Sequence, residues 1–213
     1  QYLSSTVSIK TASEDSTHGV FEIEGLYTGY GLTIGNALRR ALLSTLPGAA
    51  VSYLKIKSAL HEFSTLPNIK EDLIELVLNF KKLRFRMHTD EPQTLLLKAK
   101  GEKAVAAADI KPNALVDIIN PEVTLATLTS KDAELEIEIT VERGLGYSAT
   151  ESRKAEKLAV GTIAVDAFFS PVVKVNYTVE NMRVGERTDY NRLRFEIETD
   201  GTVSPSSALH KTA

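Results

Sequence analysis

The run "GYGLTIG" sets glycines at positions 29, 31 and 35, a spacing at which backbone N–H groups can close around a phosphate. A dinucleotide fingerprint needs its third glycine at position 34, which is Ile34, and an acidic residue further on to hold the ribose. No Asp or Glu occurs between Gly25 and His61, and no Gly-Lys-Ser/Thr follows to make a phosphate loop. Other chemical openings also fail. His61-Glu62 begins like a zinc-protease helix but meets Thr65 where the second histidine belongs, and "GYSAT" begins like a nucleophile elbow but ends on Thr150 rather than glycine. His18, His61, His88 and His210 are too scattered to read as a metal site, and no Asp-x-Asp pair is present to hold magnesium. The sequence predicts no catalytic residue, no metal and no cofactor in this chain.

The elements that must position these residues are mostly strands. "ELEIEITVER", Glu134 to Arg143, alternates Leu135, Ile137, Ile139 and Val141 against charges, the period of a sheet with one wet face. The same alternation recurs at Val173, Val175, Tyr177, Val179 and at Leu193, Phe195, Ile197, with shorter forms at Phe21, Ile23 and at Leu54, Ile56. Leu95 to Leu128 reads as several short strands broken by Gly101, Pro112 and Pro121. Three segments read as helices. Asn36 to Leu46 stops at Pro47-Gly48. A second runs from about Ile69 to Phe80, with Asn68 as cap, Glu71 at the capping-box position and Ile69, Leu73, Leu76, Val77 and Phe80 on one face. A third opens at Ser204, with Pro205 at the first helical position. Gly146 to Gly161 reads as a charged surface loop.

Composition bounds the function. The 213 residues, 43% of them hydrophobic, suffice for one substantial domain or two modest ones. A net charge of −3 argues against a chain that grips nucleic acid through a broad basic field. Without cysteine there is no disulfide framework and no thiol nucleophile. No apolar run has the length of a membrane span, and the opening Gln1-Tyr2-Leu3 has neither a signal peptide's basic head nor an initiator Met, which predicts a trimmed chain.

The first helix carries more apolar surface than one sheet can cover. At about 100° per residue, the side chains of Ala37, Leu38, Ala41, Leu42, Leu43 and Leu46 occupy roughly two thirds of its circumference, leaving a polar sector near Asn36, Arg40 and Ser44. The excess predicts a second covering surface. Arg39 falls inside the apolar arc and must snorkel or pair, whereas Arg40 is free to reach outward. The glycines before the helix are expected to permit a tight backbone approach.

The segment "GYGLTIGNALRRALLSTLPGAAV" resembles, almost residue for residue, the signature of the N-terminal domain of the bacterial and plastid RNA polymerase alpha subunit. The resemblance continues in order through "HEFSTLPNIKEDLIELVLNFKKL", "VERGLGY" and "VGTIAVDAFFSPVVKVNYTVENMRVGERTDYNRLRFEIETDGTVSP", essentially the whole chain. Gly25, Asn68 and Ala159 depart from the residues common at those places, and all three affect turns.

The resemblance implies an α+β fold in two parts. A discontinuous dimerisation subdomain, a sheet plus two helices, would take residues 1–50 and 178–213, and an inserted, mostly β subdomain would take 51–177. It implies an assembly subunit that homodimerises and serves as the platform for the β and β′ subunits of a nucleotidyltransferase complex. It places Tyr30, Ile34, Leu38, Ala41, Leu42, Thr45 and Leu209 at the homodimer interface. Arg40, Leu43 and Lys81 are implied large-subunit contacts, and Arg143 and Tyr147 serve either that interface or a local turn. The family's separate C-terminal domain, which contacts promoter DNA and activators, is expected to lie outside this chain, so tight DNA binding is not expected of it. A cytoplasmic location, or the plastid stroma for an organellar protein, follows from the same resemblance. A freestanding β-rich enzyme and a nucleic-acid-binding module are the rival readings.

Overall fold

A computed structural model describes residues 7–57, 65–153 and 159–212. His61 and Glu62 lie outside the described residues. In chain order the strands are β1 (Ser8–Glu14), β2 (His18–Leu26), β3 (Pro47–Ile56), β4 (Phe85–Met87), β5 (Gln93–Lys100), β6 (Lys103–Ala106), β7 (Val116–Ile118), β8 (Thr124–Leu128), β9 (Glu134–Leu145), β10 (Tyr147–Ser148), β11 (Thr162–Ala164), β12 (Ala167–Phe168), β13 (Val172–Val184) and β14 (Arg187–Thr199). The helices are α1 (Tyr30–Ser44), α2 (Leu73–Lys81) and α3 (Pro205–Thr212). The fold is α+β, and the chain divides into a discontinuous unit, Gln1–Leu46 with Ser170–Ala213, and a second unit, Pro47–Phe169.

The first unit is a four-stranded antiparallel sheet in the order β1-β2-β14-β13, with α1 and α3 on one face. Alternation decides which face is which. Phe21 and Ile23 of β2, with Leu193, Phe195 and Ile197 of β14, turn inward and are buried with Leu42, Leu46, Ala208 and Leu209. The residues between them form a charged outer lattice in which Arg194 pairs with Glu22, and Arg192 with Glu24 and Glu180. Val173 breaks the expected inward set. The register shifts between Val172 and Lys174, and that bulge leaves Val173 exposed while Val172 and Val175 stay buried.

The second unit is built on a six-stranded sheet, with β5-β9-β3-β4-β7 in sequence and β11 added to β3. Leu54, Ile56, Leu95, Leu97, Ile137 and Ile139 join one core with Leu73, Leu76 and Phe80 of α2. On the other face Glu136 bridges Lys57 at 3.1 Å and Lys98 at 2.8 Å, while Lys55–Glu138 and Lys100–Glu134 close at 3.3 and 3.2 Å. Four lysines thus alternate with three glutamates, as suits a face left to water.

Three boundaries differ from those the sequence suggested. The first helix starts at Tyr30 rather than Asn36 and takes in Gly31 and Gly35, whose missing side chains make room for its packing. The second starts at Leu73 rather than Ile69: Asn68 adopts a positive φ of 60°, and Asp72 is the cap. Asp72 accepts from Glu75 N at 2.7 Å while Glu75 Oε2 accepts from Asp72 N at 3.2 Å, a complete capping box one turn later than expected. The unit boundaries fall at Leu46/Pro47 and Phe169/Ser170 because Pro47 already pairs with Leu145 in β3–β9 and Val172 already pairs with Thr199 in β13–β14. The third helix opens as its cap suggests, with Ser204 Oγ accepting from Ser207 N at 3.2 Å. Between Gly146 and Gly161 the chain is not all loop, since β10 and a short 3-10 turn occur there.

Candidate interaction surfaces

The glycine run ends as a helix start. Gly29 caps α1 in the left-handed conformation, at φ 83°. Its N–H donates to Asn191 Oδ1 at 2.8 Å, and Gly31 N–H donates to the same oxygen at 3.2 Å. The donors that a phosphate would need are therefore occupied by a buried side-chain amide of β14. Further along α1, a Cβ on Gly31 would stand 2.7 Å from Val179 Cγ1, and one on Gly35 2.6 Å from Tyr177 Cε2. Both glycines let the helix lie closer to β13 and β14 than any side chain would permit.

With Gly31, Gly35 and Leu42 against the sheet, the rest of α1 divides into two flanks at about 100° per residue. One carries Tyr30, Ile34, Leu38, Ala41 and Thr45. Tyr30 is 43% exposed, Thr45 is exposed, and Ile34, Leu38 and Ala41 are half-buried. Leu42 and Leu209, which the resemblance placed with them, are 0% and 3% exposed within the unit's own core. Both side chains pack against sheet and helix within the unit, and neither presents a surface in the single chain.

The opposite flank carries Arg40 and Leu43. Arg40 is exposed, and its guanidinium has no hydrogen bond or ion pair among the described residues, while Leu43 is half-buried against the core. Arg39 behaves differently. Its Nε donates to Val175 O at 3.2 Å, so this arginine fastens α1 to the edge strand β13. Asn36 holds the same strand by accepting from Tyr177 Oη at 2.7 Å.

Lys81, Arg143 and Tyr147 belong to the second unit. Lys81, in the last turn of α2, pairs with Asp166 at 3.4 Å beside a groove of about 250 Å³ lined by Ile74, Val77, Leu78, Ile163 and Val165. Asp166 also accepts from Thr150 N at 2.8 Å, and this bond, ahead of the nearby Lys81 charge, holds its carboxyl below the ordinary value. Arg143 pairs with Asp90 at 2.7 Å. Tyr147 is 58% exposed and faces Phe168 across β10–β12, with ring centroids 6.1 Å apart. Ile74, Leu78 and Phe168 are exposed apolar side chains that the sequence reading passed over. Ile74 and Leu78 had a signal, being four residues apart and off the core face of their helix.

Among the described residues no group of three or more His, Asp or Glu side chains is arranged to hold a metal ion, and none of their helices is long and apolar enough to cross a membrane. Residues 54–170 match the family model described as the RNA polymerase Rpb3/RpoA insert domain. The chain belongs to that RNA polymerase family. The matched insert domain coincides closely with the second unit, Pro47–Phe169. Three bacterial proteins named DNA-directed RNA polymerase subunit alpha are similar over most of the chain. The Syntrophomonas wolfei protein is 50% identical over 202 residues, 94% of this chain and 64% of that protein. The Symbiobacterium thermophilum protein is 49% identical over 92% of this chain and 62% of its own length, and the Alkaliphilus oremlandii protein 45% over 97% and 65%. The chain thus spans slightly less than two thirds of the length of these relatives.

Proposed function

We propose that this chain is a non-catalytic assembly subunit of DNA-directed RNA polymerase, which homodimerises and carries the β and β′ subunits into the core enzyme. The observation that carries the reading is identity of 45–50% to alpha subunits over more than nine tenths of the chain. The geometry of α1 fits it. An uncharged flank of Tyr30, Ile34, Leu38, Ala41 and Thr45 suits a second copy, because a two-fold interface sets like surfaces together. Arg40 on the opposite flank, with Leu43 beside it, suits a larger partner that supplies an acceptor. Lys81, Arg143 and Tyr147 offer the large subunits a second surface. The chain works in the cytoplasm of a bacterium, or in the stroma if it is plastid-encoded, and it needs no cofactor and no tight DNA contact of its own.

The test is Arg40→Ala. An exposed arginine with no partner among the described residues contributes little to folding, so stability should change by less than about 1 kcal/mol. Truncating it in the complex strands its acceptor, and association with β should weaken by about 2–5 kcal/mol. Pull-down of purified β and β′, with titration of β against both proteins, reads the effect. Unchanged β affinity removes Arg40 from the interface, and failure of the wild-type chain to capture either subunit refutes the assembly role.

A further inference from the structure

We propose that Asp200 and Gly201, in the connection between β14 and α3, are a self-modification site at which the chain converts Asp200 to an isoaspartyl residue. Such a residue is a substrate for a methyltransferase that esterifies isoaspartyl carboxylates from S-adenosylmethionine. The inference goes beyond the assembly reading and does not depend on it. Asp200–Gly201 is the one Asp-Gly step in the sequence, which has no Asn-Gly step. Glycine in second place leaves no side chain between the peptide nitrogen and the aspartate's carboxyl carbon.

The turn adds two things that a flexible Asp-Gly step lacks. Asp200 Oδ1 accepts from Thr202 N at 2.9 Å and from Thr202 Oγ1 at 2.6 Å. These bonds fold the side chain back along the Gly201 peptide, which lies inside the ring they close, so nucleophile and carboxyl are held together. They also set two donors on the oxygen that gathers negative charge when the carboxyl carbon is attacked. Gly201 sits at φ 86°, a left-handed conformation that a residue with a side chain would resist. Asp200, Gly201 and Thr202 are half-buried, so water reaches the turn.

The chemistry needs no reagent but water. The Gly201 nitrogen bonds to Cγ of the protonated Asp200 carboxyl, the Cγ–Oδ2 bond breaks, and Oδ2 leaves as water with the acid proton and the amide proton. Water then opens the five-membered imide. Opening at Cγ restores aspartate, whereas opening at the Asp200 carbonyl carbon leaves the chain running through Cβ and Cγ, with a free carboxylate on Cα. The mass is unchanged and the main chain is longer by one carbon. That carbon enters a tight connection: Asp200 N donates to Pro171 O at 2.9 Å, Thr199 Oγ1 donates to Val203 O at 2.8 Å, and α3 follows with Ala208 and Leu209 in the core. The chain also carries its own comparison. Asp15 makes the same turn, its Oδ1 accepting from Thr17 N at 2.8 Å and Thr17 Oγ1 at 3.4 Å, but the next residue is Ser16, whose side chain hinders the attack. The N–H groups of Thr17 and His18 hold the Asp15 carboxyl below its ordinary value, which further disfavours the acid form that reacts.

Incubation of the folded chain in warm, mildly acidic buffer, followed by digestion and peptide separation, tests the proposal. The isoaspartyl peptide elutes apart from the aspartyl one at equal mass, and it takes up labelled methyl groups from S-adenosylmethionine when the methyltransferase is added. Isoaspartate should accumulate at Asp200 at least about tenfold faster than at Asp15. Thr202→Val, which removes the hydroxyl donor, should slow it about threefold or more, while Thr202→Ser should stay near wild type. Thermal melts verify that both variants fold. The wild-type chain unfolded in guanidinium chloride loses both bonds to Oδ1 and should also react more slowly, a comparison that needs no variant. Formation at Asp200 no faster than at Asp15 overturns the proposal. So does an unchanged or increased rate in folded Thr202→Val or in the unfolded wild type, since the turn would then not promote the reaction.

Discussion

Gly35→Ala tests whether the glycines of α1 are there for close packing. Alanine in place of glycine inside a helix is worth about 1 kcal/mol of stability on propensity alone. The new Cβ, however, would stand 2.6 Å from Tyr177 Cε2 and 2.7 Å from Cδ2, against the ~3.5–4.0 Å at which carbon atoms rest. Tyr177 cannot yield freely. Its hydroxyl donates to Asn36 Oδ1 at 2.7 Å and its ring packs 5.6 Å from that of Phe195. Overpacking of this kind costs about 1–3 kcal/mol, and breaking the Tyr177–Asn36 bond adds about 0.5–1.5 kcal/mol. The sum is a net loss of about 0.5–3.5 kcal/mol once the helix gain is subtracted. In a Tyr177→Ala background the obstacle is gone, and the same glycine substitution should become stabilising by up to about 1 kcal/mol. Urea unfolding of the four proteins, followed by circular dichroism, gives the double-mutant cycle. A Gly35→Ala protein as stable as wild type or more so, with no change of sign between backgrounds, refutes the packing argument.

Two further substitutions probe the second unit. Asp72→Ala removes the acceptor of the capping box and should destabilise by about 1 kcal/mol in urea unfolding, whereas Asp72→Ser should recover most of it. Asp166 has a folded-state pKa below its ordinary 3.8, so its contribution is present above that value and is lost as pH falls through the lowered one. Acid unfolding of Asp166→Asn should therefore show a shallower loss of stability below pH 4 than wild type, from a lower starting point at neutral pH. Parallel curves for the two proteins would exclude Asp166 as an acid-sensitive support.

Much of the sheet structure was legible because one face of each sheet is wet. In β9 and β14 the alternation of apolar residues with Glu136, Glu138, Arg194 and Glu196 names both faces at once, since the charged set pairs across strands and the apolar set packs. The start of α2 was not legible from local rules. Asn68 with Glu71 and Asp72 with Glu75 offer the same capping-box spacing, and only the fold chooses between them: Glu71 accepts instead from Thr127 N at 2.7 Å and Thr127 Oγ1 at 2.8 Å. The start of α1 failed for a related reason. Gly31 and Gly35 each weaken a helix by about 1 kcal/mol, and the compensation comes from Val179, Tyr177 and Asn191, far along the chain. A helical wheel over Asn36–Leu46 gives how much of α1 needs covering but not which sector the sheet covers. Read as helical positions, the two glycines would have supplied the missing orientation. Small residues at 31 and 35 mark the line of closest approach, Leu42 shares that line, and Tyr30, Ile34, Leu38, Ala41 and Thr45 then lie to one side of it, with Arg40 and Leu43 on the other.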